Sequence, residues 1–147
     1  MGVFGLTASI IIAIIIIVQL NSQKHGIKNL TKAQGQKIVN DNIDWIRKRW
    51  DRIQNEKDSG ILKTVKWWYF DEATDRQLAR IKKIGLHISD TKITKGQASD
   101  LIGLFEPPDD KDIEILKTHN IALEEMNQTK AREIVAKILK EPEKINR

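Results

Sequence analysis

From Val3 to Leu20 the chain carries no charged side chain, and Ile10 to Ile17 sets seven isoleucines in eight positions. Coiled as an α-helix at about 1.5 Å per residue, this run measures roughly 27 Å, close to the hydrocarbon thickness of a bilayer. Its apolar side chains point in every direction, so a water-soluble fold would have to enclose it completely. A 147-residue chain that is 31% charged has too little other apolar surface to do that. The run is therefore expected to be a transmembrane anchor, taken as residues 1–22. A cleaved signal needs a basic leader and a small-residue cleavage site, whereas "MGVFGLTAS" has no Lys or Arg and "VQLNSQKHG" has no such site. N-myristoylation fails because Leu6 stands where the motif wants Ser or Thr.

Flanking charge then sets the orientation. Lys24, Lys28, Lys32 and Lys37 come after the run, while the upstream side offers only the amino terminus. Basic residues beside a span stay in the cytoplasm, so a single-pass membrane protein with a cytoplasmic C-terminal domain is expected. Between Asn21 and Glu72 there are 11 Lys and Arg against 7 Asp and Glu, and from Ala73 onward 14 against 13. The basicity is concentrated next to the bilayer, where each Lys or Arg near anionic lipid contributes about 1 kcal/mol of attraction. The chain has no cysteine, which excludes disulfides, thiolate metal sites and cysteine nucleophiles.

Residues 23–60 read as a basic juxtamembrane amphipathic helix. Thr31 is placed to cap it, Val39, Ile43, Ile46, Trp50 and Ile53 recur at spacings of four and three, and Ser59 and Gly60 act as breakers at its end. The opposite face is expected to carry Asp41, Lys48, Arg49 and Arg52. With Trp45 and Trp50 as interfacial anchors, a membrane-surface set is expected from Lys24, Lys28, Lys32, Lys37, Trp45, Arg47, Lys48, Arg49, Trp50 and Arg52. Two other arrangements compete: a homodimer through the 39–53 helix, or a seam packed on the next domain with Trp50 buried and the lysines serving only orientation. Residues 61–72 then form an aromatic connector, predicted to be extended, with Trp67 and Tyr69 or Trp68 and Phe70 covering the helices C-terminal to it.

Residues 73–147 repeat internally. "ATDRQLARIKKIGL" lies on "PDDKDIEILKTHNI" at an offset of 35, and "ITKGQASDLIGLF" on "MNQTKAREIVAKIL" at an offset of 33. Thr74 and Asp109 are matched as helix caps, and so are Thr94 and Asn127. Gly85 and Asn120 are matched as helix ends, being the residue types that enter the left-handed region most easily. Leu78, Ile81, Leu101, Ile102, Ile113, Leu116, Ile134 and Ile138 are expected to share one core. The fold class is therefore mainly α: a transmembrane helix, an amphipathic linker helix, and a compact four-helix body of two helix-turn-helix repeats hinged at "EPPDD".

The pattern A-T-x-x-Q, an Ile to Leu-Gly helix end, and T-K-x-x-A-S-x-L-I, carried here by Ala73 to Phe105, resembles a short helical module of bacterial and phage proteins. The resemblance implies an accessory interaction module, in some cases on nucleic-acid proteins, with no shared catalytic activity. In the second repeat Ala131 is followed by Arg132, so the A-S pair is absent there.

His25, His87 and His119 are isolated from one another and from helical metal-ligand spacing, and there is no phosphate loop or nucleophile elbow. No pair of carboxylates in an apolar setting is apparent in the sequence. The chain is not expected to be an enzyme or to hold a cofactor or metal. Its partners are expected to be membrane lipids and an unidentified protein. Nucleic acid is the alternative, through Arg76, Arg80, Lys82 and Lys83 on the first repeat helix and Lys92 and Lys95 in the turn, and an exported membrane effector is a further one.

Overall fold

The structure, a computed structural model, describes residues 32–86 and 92–144, apart from the side chains at 32, 35 and 36. The apolar run, Lys24, Lys28, Thr31, His25 and His87 lie outside the described residues. Among the described residues there are five α-helices, no strand, and no helix long and apolar enough to cross a membrane. The helices are α1 (Lys32–Asp58), α2 (Asp75–Ile84), α3 (Lys95–Gly103), α4 (Asp110–Thr118) and α5 (Gln128–Leu139), with a 3-10 turn at Trp67–Phe70.

The local chemistry of the last four helices agrees closely with the alignment of the two repeats. Thr74 and Thr94 each accept from the backbone N–H three residues on, and Gln77 and Gln97 reach back to the cap N–H, completing two capping boxes. Asp109 and Asn127 cap α4 and α5 through Asp112 N–H and Lys130 N–H. Gly85 (φ 84°) and Asn120 (φ 56°) both take the left-handed conformation that ends the first helix of each pair. Helix α2 packs on α3 and α4 on α5, while α3 and α5 meet in the middle. That middle contact is close because Gly103 lets Thr129 Oγ1 approach and donate to the Asp100 carbonyl at 2.8 Å.

Helix α1 belongs to the same core. Val39, Ile46 and Trp50 pack with Ile81, Leu86, Ile93, Leu101, Ile102 and Phe105, and Ile53 packs with Val65 and Tyr69. Burying that row stabilises the fold by about 1.5 to 3 kcal/mol per large side chain. The seam expected to offer a homodimer contact is thus used within the chain.

Three expectations are corrected. The connector is not extended throughout: Trp67–Phe70 coils into a 3-10 turn, so the aromatics do not alternate, and Tyr69 is buried while Trp67 stays 60% exposed. The turn is fixed because Tyr69 lies against Gly96, where any larger residue would strike its ring, and Lys95 N–H donates to the Asp71 carbonyl at 2.7 Å. Leu78 is 43% exposed and outside the core. The two repeats do not share a single core: Leu116, Ala131 and Val135 of α4 and α5 form a cluster of their own, with Ile134 packed at its margin. It stands apart from the cluster of α1, α2 and α3 because charged side chains occupy the space where α1, α3 and α5 converge.

Candidate functional site

Those charges form the most unusual feature of the molecule. Arg49, on α1, is 1% exposed. Its Nε and Nη2 donate to the two oxygens of Asp100 at 3.0 and 3.1 Å, its Nη1 to Glu133 at 2.7 Å, and its Nη1 and Nη2 to Glu143 at 2.5 and 2.8 Å. Asp100, Glu133 and Glu143 are themselves buried. Asp100 also accepts from Trp50 Nε1 at 3.0 Å and from the Tyr69 hydroxyl at 2.5 Å. Arg52 and Lys137 reach Glu133 from the outside, at 2.9 and 2.7 Å. A buried charge is tolerated only when it is paired and fully hydrogen-bonded, and every donor of the guanidinium is used here.

The elements place these groups in a particular way. Asp100 and Glu133 stand at an offset of 33, the same offset that aligns the second helices of the two pairs. Matched positions on α3 and α5 therefore present one carboxylate each to a single arginine on α1. Glu143 is added from the irregular segment after α5, which leaves the helix through left-handed Lys140 and donates Glu143 N–H to the Thr64 carbonyl at 2.9 Å.

The electrostatics result from burial and partners. Burial alone would lower the Arg49 pKa, but Asp100 and Glu143 beside it hold the guanidinium well above the usual arginine range. Burial would raise Glu133, yet Lys137, Arg49 and Arg52 bring it down to about 2. Burial pushes the Glu143 carboxyl up to about 7, against the pull of Arg49 and helped by Asp100 and Glu133. Burial, and then Asp100, keeps the Tyr69 phenol well above its ordinary range. Among the described residues no group of His, Asp and Glu has the arrangement to hold a metal ion.

This placement removes Arg49 and Trp50 from the expected membrane-surface set. Arg49 and Trp50 are core residues, because both point along the seam toward Asp100. Trp45 is half-buried, with Arg49 and Lys130 each 5.9 Å from its ring centroid. Lys37 is exposed and pairs with Asp41 at 2.5 Å, and Arg47 lies 4.0 Å from Asp44. Lys48 and Arg52 line a shallow groove of about 570 Å³ with Asp51, Asn55, Ser59, Ile61 and Lys63; Glu56 in its wall is spent on the backbone N–H groups of Lys63 and Thr64. The backbone of Lys32 opens α1.

Of the cations expected to meet nucleic acid, Arg76, Lys82 and Lys83 are exposed on α2. Arg80 is engaged by Glu106, and Lys92 by Glu72 at 3.2 Å. Lys95 is half-buried, and its carbonyl accepts from Gln77 at 2.9 Å. His119 places its Nδ1 2.9 Å from the Ile115 carbonyl, at the helix end.

Sequence patterns do not single out Asp100, Glu133 or Glu143, and they offer Tyr69 only within one of two aromatic pairs that could cover the following helices. A signal is nevertheless present: Val39, Asn42, Ile46, Arg49 and Ile53 form one row spaced three and four apart, so the arginine sits within the seam and requires buried anions as partners.

Compared with protein-family models, with curated proteins and with solved structures, the chain matches none. The resemblance to a bacterial and phage module therefore rests on the residues from Ala73 to Phe105 alone.

Proposed function

We propose that the chain is a membrane-tethered binding module, in which the apolar run Val3 to Leu20 is a single-pass anchor and the four helices from Asp75 to Leu139 act as two repeats of one helix-turn-helix unit displayed in the cytoplasm. The observation that carries this reading is the way α1 is joined to the domain. Its apolar row is buried and Arg49 bonds to both α3 and α5, so α1 is a stiff arm of the domain instead of a loose linker. Of its 27 residues, those from Ile38 to Ile53 pack in the core, so residues 32–37, about 9 Å of helix, project from the domain toward the headgroups that Lys24 and Lys28 would meet. The exposed side of α1 carries no row of large apolar residues, which favours an arm standing off the bilayer over a helix lying in it.

The test is fractionation of the full chain with and without residues 1–20, combined with protease access from either side of sealed vesicles. Membrane retention that depends on the run, with protection of the domain inside intact cells, supports the proposal. Equal partition of both forms into the soluble fraction refutes it.

A second reading, in which the module holds nucleic acid, is favoured by the exposed trio Arg76, Lys82 and Lys83 on one helix. Retention of DNA or RNA that falls steeply as salt rises would support it, since phosphate contacts release counterions.

A further inference from the structure

Glu143 differs from the other two carboxylates on Arg49 in how it is held. Asp100 and Glu133 are built into α3 and α5 and cannot leave without unfolding a helix. Glu143 sits on the short segment Glu141 to Lys144, docked by half-buried Pro142, by one backbone bond to the Thr64 carbonyl and by two bonds to Arg49. Lifting that segment leaves Arg49 fixed by Asp100 and Glu133. Its Nη1 and Nη2 donors and the Thr64 carbonyl would then face an empty notch. These groups are spaced for one residue, because Glu143 itself supplies both the N–H and the carboxylate that they take.

The surroundings also make the occupant replaceable. Arg49 serves three carboxylates, and Arg52 and Lys137 relieve only Glu133. Arg132 attracts Asp100 and Glu143 from farther off, but Glu143 accepts bonds from Arg49 alone, the fewest of the three carboxylates, in a site whose positive group does not depend on it for position. Bidentate guanidinium recognition of a carboxylate is strong and directional.

We propose that this notch is a carboxylate receptor for a glutamate in extended peptide, filled here by the chain's own Glu143 and open by exchange to a glutamate of a partner protein. The receptor gives the membrane-tethered binding module a partner chemistry and rests on that reading only for the partner. Its chemistry is independent of the anchor, and a negative fractionation result would leave it standing.

The experiment uses the full chain in detergent micelles. In Glu143→Ala the notch is vacated, and sodium formate or acetate should raise the melting temperature of this variant in a saturable way, while leaving the parent chain unmoved and while chloride at equal ionic strength does nothing. A variant indifferent to formate and acetate overturns the receptor. Should Glu143→Ala not fold, the parent chain is digested with trypsin in the presence of a peptide of sequence Glu-Pro-Glu-Lys or its counterpart with the second Glu replaced by Gln. Cleavage after Lys140 accelerated several-fold by the first peptide alone supports exchange, and equal rates with both peptides overturn it.

Discussion

Replacing Arg49 by methionine removes the positive charge at the centre of the cluster while keeping most of its volume. Five hydrogen bonds are lost, two to Asp100, one to Glu133 and two to Glu143. The larger effect is what remains: carboxylates that are almost wholly buried and no longer compensated. Breaking a buried ion pair from one side costs about 3 to 5 kcal/mol, against a total stability of roughly 5 to 15 kcal/mol for a domain of this kind. At about 4 °C per kcal/mol, the melting temperature should fall by roughly 12 to 20 °C. Urea unfolding followed by far-ultraviolet circular dichroism and by tryptophan fluorescence measures this at pH 7. Orphaned charge is also costlier than absent charge. The quadruple variant Arg49→Met, Asp100→Asn, Glu133→Gln, Glu143→Gln removes every charge together and should therefore recover a large part of the loss. An Arg49→Met chain within about 1 kcal/mol of the parent, or a quadruple variant less stable than the single one, would refute the reasoning.

Three further outcomes are expected. At Gly96 an added methyl would come 2.0 Å from the Tyr69 ring, so Gly96→Ala should destabilise by about 2 kcal/mol or more through overpacking; Gly60→Ala, with open space but φ +77°, should cost only about 1 kcal/mol. Stability should depend on pH from both sides: Glu143, raised to about 7, contributes stability below its ordinary value near 4.5 that is lost as pH rises through 7, and Glu133, lowered to about 2, contributes stability above 4.5 that is lost as pH falls toward 2. Melting curves from about pH 3 to about pH 9 should therefore peak near pH 4.5 and decline from there to about pH 7, and Glu143→Gln should flatten the alkaline side; an unchanged alkaline limb in that variant would contradict the assignment to Glu143. Leu101→Ala, at a site 5% exposed, should cost about 2 to 5 kcal/mol by denaturant midpoint, whereas Lys82→Ala, on the solvent side of α2, should stay within about 0.5 kcal/mol.

The features legible in the sequence are those decided locally. A threonine three residues before a glutamine, or a glycine after the last apolar turn, engages its own neighbours in the chain, so caps at Thr74, Thr94, Asp109 and Asn127 and left-handed ends at Gly85 and Asn120 arise without knowledge of the fold. Leu78 departs from its expected place because matched spacing says only which face it shares, and not which turns of that face the neighbouring helices cover. Residue type assigns Arg49 to solvent, although its spacing from Ile46 and Ile53 puts it in the buried row. Its partners lie 51, 84 and 94 residues away, and no local rule joins them. The offset of 33 pairs Asp100 with Glu133, yet their convergence on one cation requires the third element, α1, to be in place.

That one arginine serves both helix pairs also bears on how such a chain can change over time. In open repeat arrays each unit touches only its neighbours, so copying one more unit lengthens the stack at little risk. Here a third copy of the pair would bring a third helix-borne carboxylate at the matched position, while the one fully buried guanidinium of α1, Arg49, already has all five donors engaged. The counter-charge comes from outside the repeated segment, so copying the helix pair copies its carboxylate without the cation that receives it.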